Sequence, residues 1–503
     1  EARLNLALTL RAMRRIDDAE AVLRSALGID AQSLSVNLAL GNLTIQKGSF
    51  EEARGYFSAV LAIDPLHTGA LNNLGISFTR LGQLNEASAN FEKVMSVEPD
   101  NVSVLANLGA IRSEQGRTDD AIALFRRVLV LAPEQIEAAN NLGVALLDKG
   151  QVGEAAAVLR SLTEDGRGGA EVFSNLGNAL VKLGDTEGAD SAYDQALALG
   201  PNPGIRIKRA LLLPVISASV GSMQVARFDF EQRVDALIKE PLQLVDPFDE
   251  VGVPTFNLSY QEHNNRDLLA KLSDMYLAAC PSLEFVAPHC ADPPLLNALT
   301  PLRIGFVSRF FQSNSVGRCF HGILRYPNRA DVEVTAFTFA AGQDPLWKAI
   351  EGDVANTVIL PAHLEAARQR IAEEALDVLV YTDIGMDPLT YYLAYSRLAP
   401  LQCVLGGHPD ATGLHNIDAY ISCDMQEPVD AAAHYRAQLV RLPGAPTYYE
   451  RPEFPVPLKE RSDFGLPEGR AVYFCGQTLI KIHPNMDELF SGILLRDPEG
   501  VIV

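Results

Sequence analysis

The stretch that decides the fold is ALNNLGISFTRLGQLNEASANFEKVMSVEPDN, residues 70–101, which returns in altered form as VLANLGAIRSEQGRTDDAIALFRRVLVLAPEQ, residues 104–135. Each copy carries Leu-Gly, then Ala twelve residues later, an aromatic residue four beyond that, and finally Pro. The same glycine recurs every 34 residues, at Gly41, Gly75, Gly109, Gly143 and Gly177. A fixed period of this length predicts stacked pairs of antiparallel helices.

The conserved types of residue within each repeat have a physical reason. Small residues let two helices approach closely, the Leu and aromatic positions fill the space between neighbouring hairpins, and Pro ends the second helix because it has no N–H to donate. The period and these offsets resemble the tetratricopeptide repeat. Five full repeats and a preceding, half-matching one predict an α-solenoid over residues 1–201, and such arrays commonly bind peptides on their concave face.

An asparagine precedes the Leu-Gly position in five of the six repeats. An amide can donate to a backbone carbonyl and accept from a backbone N–H, so a row of them would hold an extended peptide without reading its side chains. The alternative is that these amides bond between adjacent repeats within the array. The candidate peptide-binding residues are Asn5, Asn73, Asn107, Asn141 and Asn175.

Composition limits the classes of partner. The 503 residues include 42 basic and 63 acidic side chains, a net charge of −21, which is the wrong sign for a surface that neutralises phosphates over any length. Nucleic acid and anionic membrane are therefore not expected as partners, and no segment predicts a membrane span. Six cysteines without a CxxC pair indicate reduced thiols in a cytoplasmic protein rather than a disulfide scaffold or a zinc site.

The rest of the chain predicts a different architecture. Residues 202–300 indicate a helical linker region, and residues 301–442 alternate short apolar strands with helices, which predicts a first Rossmann-like lobe with a parallel sheet. A Pro-rich linker is predicted at 443–461. Residues 462–503 then read as the start of a second, nucleotide-binding Rossmann-like lobe that is cut off after one βαβ unit. We therefore expect this chain by itself to be close to inactive as a transferase.

Three loops that follow predicted strands are candidate ligand sites, because ligands of open α/β sheets bind at the carboxyl ends of the strands. The loop at 309–318 is polar and leads into a helix. The loop at 406–413 is rich in glycine and contains His408. The loop at 476–484 contains one lysine, Lys481, just before a helix, an arrangement that suits a diphosphate. Each loop by itself could equally be a plain turn or a solvated surface.

Three motifs carry a family resemblance: LRIGFVSRFF at 302–311, LAPLQCVLGGHPDATGLHNIDAYIS at 398–422, and DFGLPEGRAVYFCGQTLIKIHP at 463–484. Together with the repeats, they resemble the O-linked N-acetylglucosamine transferase family, and its bacterial SPINDLY-like branch in particular. The resemblance spans the whole chain. It implies two lobes of the glycosyltransferase B type and inverting transfer of N-acetylglucosamine from UDP-GlcNAc to Ser or Thr of proteins, with no metal and no cofactor.

The resemblance also implies residue roles. Lys481 matches the lysine that holds the donor diphosphate, and Gln477 matches a glutamine beside the nucleotide. The other positions line the sugar and acceptor region, with His408 as the catalytic candidate; these are Gly407, His408, Pro409, Thr412 and Gly413.

One departure from the family pattern concerns the first loop. Asn314 stands where the family has a histidine near the acceptor hydroxyl, and an amide cannot take up a proton. Arg318 stands where animal enzymes carry another histidine and matches the bacterial branch. General base catalysis contributes about 10²- to 10⁴-fold, so Asn314 would leave a slow enzyme or, in the alternative, a non-catalytic tetratricopeptide scaffold on a degenerate transferase domain. The sequence leaves open the acceptor proteins, the identity of the sugar and the oligomeric state.

Overall fold

The computed structural model of the chain describes residues 1–252, 255–292, 301–339, 342–406, 408, 410–451 and 457–503. The chain forms two compact units, Glu1–Gly200 and Pro201–Val503. Part of the predicted Pro-rich linker, residues 452–456, lies outside the described residues.

The first unit consists of six helical hairpins, so the half-matching first repeat also forms a complete pair. Each hairpin packs against the next, as expected of tetratricopeptide repeats. The helices are α1 (Ala2–Ala12), α2 (Ile16–Leu27), α3 (Leu34–Gln46), α4 (Phe50–Ile63), α5 (Thr68–Arg80), α6 (Leu84–Val97), α7 (Val102–Glu114), α8 (Thr118–Leu131), α9 (Ile136–Asp148), α10 (Val152–Glu164), α11 (Ala170–Leu183) and α12 (Thr186–Ala198).

The repeated glycine packs against the repeated aromatic residue of its own hairpin. A Cβ atom on Gly75 would lie 2.7 Å from the ring of Phe91, which is fully buried. The same contact joins Gly177 to Tyr193, and Leu159 takes the place of the aromatic residue against Gly143. The aromatic position therefore fills space within a hairpin, in addition to the space between hairpins that the sequence predicts for it.

A second row of glycines turns the chain between the two helices of a hairpin. These residues have φ between +71° and +80°, a left-handed conformation that glycine adopts without steric cost. They are also spaced 34 residues apart, so the sequence contains the signal: Gly48, Gly82, Gly116, Gly150 and Gly184.

The second unit is built on a seven-stranded parallel sheet with the order β3-β2-β1-β4-β5-β6-β7. The six strands predicted from sequence are confirmed, and β7 is an additional one that lies beyond a segment with only a short 3₁₀ helix. The strands are β1 (Leu302–Val307), β2 (Val332–Thr338), β3 (Asn356–Ile359), β4 (Val378–Tyr381), β5 (Leu401–Leu405), β6 (Ala419–Cys423) and β7 (Gln438–Leu442).

Two helical layers cover the sheet, because successive side chains of each strand point to opposite faces. Phe306 packs with α18 and α19 on one face. Val307 packs on the other face in a core that includes Phe230 and Leu272 from the region predicted as a helical linker, so this region supplies one layer of the domain. The helices are α13 (Pro203–Ala210), α14 (Val220–Ile238), α15 (Pro247–Glu250), α16 (Arg266–Ala279), α17 (Pro288–Ala291), α18 (Ser315–Arg325), α19 (Pro345–Asp353), α20 (Leu364–Glu373) and α21 (Pro388–Leu393).

The last residues form the βαβ unit that the sequence predicts. Strand β8 (Val472–Tyr473) pairs in parallel with β9 (Val501–Ile502), and helix α22 (Met486–Arg496) connects them. The predicted helix at 486–496 agrees with α22 at both ends. Across all the described ranges, no helix is long and apolar enough to cross a membrane.

Candidate functional site

His408 lies just beyond the carboxyl end of the central strand β5 and is only 6% exposed. Its Nε2 lies 3.1 Å from the Ser259 hydroxyl, and its ring centroid lies 5.1 Å from that of Phe256. The Tyr420 hydroxyl donates to the backbone carbonyl of His408 at 2.9 Å. The loop that carries the predicted catalytic residue is thus held by a segment that is distant in sequence, the short 3₁₀ helix Phe256–Tyr260.

A chain of buried polar side chains continues from Ser259 into the helical layer. Ser259 Oγ donates to Asp410 Oδ2 at 3.1 Å, and Asn265 Nδ2 donates to the same oxygen at 2.7 Å. Arg227 in turn donates to Asn265 Oδ1 at 2.7 Å and is 9% exposed. Because buried polar groups that are fully bonded specify one arrangement, this network fixes the position of the 408–410 loop.

The histidine is neutral at physiological pH. Burial lowers the pKa of His408 to about 4, the positive charge of Lys481 lowers it further, and the backbone carbonyl of Phe256 opposes both effects. A neutral imidazole has one donor and one acceptor nitrogen, so His408 can exchange hydrogen bonds with a ligand but does not supply a fixed positive charge.

The predicted diphosphate ligand, Lys481, meets the same segment. Its ammonium nitrogen lies 5.6 Å from the centroid of the Tyr260 ring, a cation–π geometry. Lys481 itself is exposed and is the last residue of the 3₁₀ helix Leu479–Lys481. Two residues predicted from separate loops, His408 and Lys481, therefore converge on Phe256–Tyr260, a segment that the sequence analysis did not identify.

The remaining residues of the predicted donor site differ in their surroundings. Gly407 and Pro409 lie outside the described residues. Thr412 is buried, and its hydroxyl accepts from the Leu414 backbone N–H at 3.3 Å. Gly413 has φ +69° and packs against α16, where an added Cβ would lie 2.3 Å from a backbone carbon. Gln477 is exposed after β8.

The first loop ends in a helix cap. Asn314 is the N-cap of α18, where its side-chain oxygen accepts from the Gly317 backbone N–H at 3.0 Å. This is the ordinary role of asparagine at a helix start. Arg318 follows on the first turn and is exposed. The amide at the position of the family histidine thus has a structural partner.

A buried carboxylate, Asp383, lies where β1 and β4 adjoin, which is the point where the strand order reverses. Its Oδ2 accepts from the Ser308 hydroxyl at 3.2 Å and from the Arg309 backbone N–H at 2.8 Å, and no described group donates to its Oδ1. Burial raises the pKa of Asp383 to about 7, and the nearby charge of Asp387 adds to this rise. The sequence signal was available, since ligands bind at such switch points.

One cluster in the described ranges has the composition of a metal site. Side-chain ligand atoms of Asp246, Asp249 and His363 all lie within 4.8 Å of one another. Two of these side chains are exposed, and acidic groups commonly meet at a surface without an ion. The cluster belongs to a different part of the unit from the residues around His408 and has no role in the site built above.

Two of the predicted peptide-binding asparagines bond between repeats. Asn73 Nδ2 donates to Asn42 Oδ1 at 2.6 Å, and Asn175 Nδ2 donates to Asn140 Oδ1 at 2.9 Å. Both bonds join first helices of neighbouring hairpins. For these two positions the structure provides the inter-repeat bonds that the sequence analysis considered as the alternative.

The other three asparagines are arranged differently. Asn107 and Asn141 are half-buried, and within the described first unit no atom bonds to either side-chain amide. Asn5 is exposed on the first hairpin. Amides without a partner inside the array are the ones available to a bound chain.

The two buried titratable groups should affect stability in opposite directions. Below pH 6.5 the unfolded chain takes up a proton that folded His408 refuses down to about pH 4, so this stabilisation falls by about 3 kcal/mol as the pH drops through that window. Asp383, whose pKa rises from 3.8 to about 7, contributes stabilisation that is lost as the pH rises between those values. Urea unfolding across this range should show His408→Gln and Asp383→Asn deviating from the wild type with opposite slopes. Parallel curves for all three proteins would show that neither group is buried as described.

Comparison with known families places the repeats first. Residues 10–74, 78–142 and 112–174 match a family described as tetratricopeptide repeat, and residues 170–203 match a second family of the same description. These matches lie within the six hairpins, apart from the last three residues.

Relatives among curated proteins carry transferase names. A protein of Arabidopsis thaliana named "Probable UDP-N-acetylglucosamine--peptide N-acetylglucosaminyltransferase SEC" is 24% identical over 292 residues, 54% of this chain and 29% of that protein. One of Solanum lycopersicum with the same activity name and the designation SPINDLY is 24% identical over 229 residues, 40% of this chain and 22% of that protein. The chain thus spans less than a third of the length of these relatives.

Solved structures include a similar one, a mutant O-GlcNAc transferase of Thermobaculum terrenum. It is 17% identical, with a TM-score of 0.36, over 94% of this chain and 68% of the other. The named relatives confirm, at low identity, the resemblance to the O-GlcNAc transferase family that the motifs indicate. The chain is related to glycosyltransferases.

Proposed function

We propose that this chain is the repeat-containing and catalytic part of a protein O-glycosyltransferase. It transfers N-acetylglucosamine from UDP-GlcNAc to Ser or Thr hydroxyls of polypeptides that the repeat solenoid captures. In this proposal Lys481 neutralises the donor diphosphate, with Gln477 beside the nucleotide. His408 lies at the sugar, and the two sheets correspond to the lobes of the glycosyltransferase B type.

The observation that carries the proposal is the convergence of His408 and Lys481. They come from loops after β5 and β8, more than seventy residues apart, and both contact Phe256–Tyr260. A neutral, buried imidazole beside an exposed ammonium suits a ligand with a polar sugar and a charged diphosphate. Preorganised groups of this kind stabilise the charge that develops on the leaving diphosphate.

The environment of the cysteines fits a cytoplasmic location, which we propose for the reaction. All six are free, and three of them are buried. UDP-sugars used on cytoplasmic proteins require no disulfide-forming compartment, and free buried thiols persist in reducing surroundings.

Calorimetric titration with UDP and with UDP-GlcNAc tests the donor half of the proposal. We expect binding of both by the wild-type chain, and competition between them. Transfer of radiolabelled sugar to a Ser/Thr-rich protein mixture, measured with this chain and with a longer form of the protein, tests the reaction. Absence of UDP binding in both forms would overturn the proposal.

A non-catalytic scaffold is the second candidate, and the cap on α18 favours it. Asn314 is engaged with Gly317 and offers no base at the position of the family histidine. A scaffold would bind peptide through the solenoid and would have no need for diphosphate affinity. The calorimetric titration therefore distinguishes the two candidates directly.

Peptide capture should depend on the unbonded asparagines. We expect the double variant Asn107→Ala/Asn141→Ala to weaken binding of an extended peptide by about 0.5–1.5 kcal/mol per lost hydrogen bond, with unchanged stability. The matched variant Asn73→Ala/Asn175→Ala should also lower the free energy of unfolding, because it leaves the partner amides of the neighbouring hairpins unpaired. Fluorescence anisotropy with a labelled Ser/Thr-rich peptide measures the binding. Equal peptide affinity in the first variant and the wild type would make the row structural only.

A further inference from the structure

We propose that Ser259 is a positioning residue for His408: it holds the imidazole proton on Nε2 and leaves Nδ1 as a hydrogen-bond acceptor for a hydroxyl or amide N–H of the bound sugar. This rests on the proposed function only for the identity of the ligand. The hydrogen-bond arrangement itself follows from the contacts of the segment Phe256–Tyr260.

The first step concerns the acceptor at the end of the network. Asp410 receives three hydrogen bonds, from the Ser259 hydroxyl at 3.1 Å, from Asn265 Nδ2 at 2.7 Å, and from the Ala411 backbone N–H at 2.9 Å. An ionised carboxylate accepts and cannot donate. The Ser259 hydroxyl therefore uses its only proton on Asp410.

The second step concerns the histidine. A hydroxyl whose proton is engaged still has lone pairs, and those of Ser259 lie 3.1 Å from His408 Nε2. Two lone pairs facing each other would repel, whereas an Nε2–H completes the bond. Since the ring is neutral, its single N–H proton then lies on Nε2, and Nδ1 is the bare nitrogen.

The third step concerns what surrounds the bare nitrogen. Nδ1 lies 3.5 Å from Ser259 Oγ and next to Gly385, where an added Cβ would lie only 2.9 Å away. Gly385 has φ +92°, which favours glycine, so the backbone passes the ring without a side chain. Nδ1 is thus an acceptor that no side chain of residue 385 covers.

The order of the groups excludes a hydrolase-like reading of Ser259. A serine nucleophile needs a histidine between the hydroxyl and the carboxylate, so that the histidine takes its proton. Here the hydroxyl lies between Asp410 and His408, and its proton points to the carboxylate. Ser259 orients the histidine and does not attack a substrate.

The arrangement can be tested on the ring nitrogens of His408, in the full chain labelled with ¹⁵N-histidine. The wild type should show His408 with a protonated Nε2 and a bare Nδ1, and His408→Gln identifies its signals among the nine histidines. Ser259→Ala should mix the two tautomers, while Ser259→Thr, which keeps the hydroxyl, should restore the wild-type pattern. Ser282→Ala serves as the control, because its hydroxyl bonds the Cys280 thiol instead.

Donor affinity provides a second measurement. Ser259→Ala should weaken UDP-GlcNAc binding roughly fivefold and leave UDP binding unchanged, because the bare nitrogen faces the sugar. A protonated Nδ1 in the wild type, or an unchanged pattern in Ser259→Ala, would overturn the inference. Failure of the wild type to bind UDP-GlcNAc would overturn the proposed function and the assignment of the ligand, and would leave the tautomer result standing.

Discussion

Lys481→Ala should weaken binding of UDP and of UDP-GlcNAc roughly tenfold to a hundredfold, because a charge-assisted hydrogen bond to a diphosphate contributes about 1.5–3 kcal/mol. The ammonium lies over the Tyr260 ring, which holds it near His408 while leaving its N–H groups available. Calorimetry measures the dissociation constants. The loss should shrink as salt is added, because Lys481 is exposed and its charge is screened.

The chain offers a close control for this variant in Lys459. Its ammonium also lies 5.6 Å from an aromatic centroid, that of Phe464, and it belongs to the same C-terminal part. Lys459→Ala removes the same charge and the same type of cation–π contact, so donor affinity should stay within a factor of about two of the wild type. Equal losses in the two variants would mean that net charge, and not the position of Lys481, sets the affinity.

Phe91→Ala should lower the free energy of unfolding of the repeat region by about 3–5 kcal/mol, since it removes a fully buried ring and leaves a cavity against Gly75. Phe91→Leu should cost less, because Leu159 already fills the corresponding space against Gly143 in another repeat. Denaturant unfolding followed by the far-UV helix signal measures both changes.

An exposed apolar residue of the same unit provides the comparison. Val130 is 81% exposed on α8, so Val130→Ala should change the free energy of unfolding by less than about 0.5 kcal/mol. A loss in Phe91→Ala no larger than in Val130→Ala would contradict the packing of the ring onto Gly75.

The repeats and the strands could be predicted because their signals are local. The Leu-Gly, Ala and aromatic positions return every 34 residues, and each contact they make lies within a hairpin or between neighbours. The strands β1 to β6 are short, apolar runs between turns, which is typical of a sheet buried on both faces. Strand β7 was missed, because a 3₁₀ segment without helical periodicity stands before it.

The site was predicted only in part. His408 and Lys481 stand in motifs and follow strands, so position in the sequence identified both. Ser259 and Asp383 stand in no motif, and their importance comes from contacts across about 150 and 75 residues of chain. The region around Ser259 resembled a linker because its helices are irregular, although Phe230 and Leu272 belong to the core of the domain.

The sequence by itself therefore determined the architecture: a solenoid of helical hairpins, a parallel sheet, and a βαβ unit at the end. Periodicity and strand patterns encode these elements, because each is stabilised mainly by residues near in sequence. Tertiary structure alone decided which groups meet. Burial among Phe256, Ser259 and Gly385 sets the proton of His408, and desolvation between β1 and β4 raises the pKa of Asp383. Solvent exclusion and hydrogen-bond geometry depend on atoms that only folding brings together.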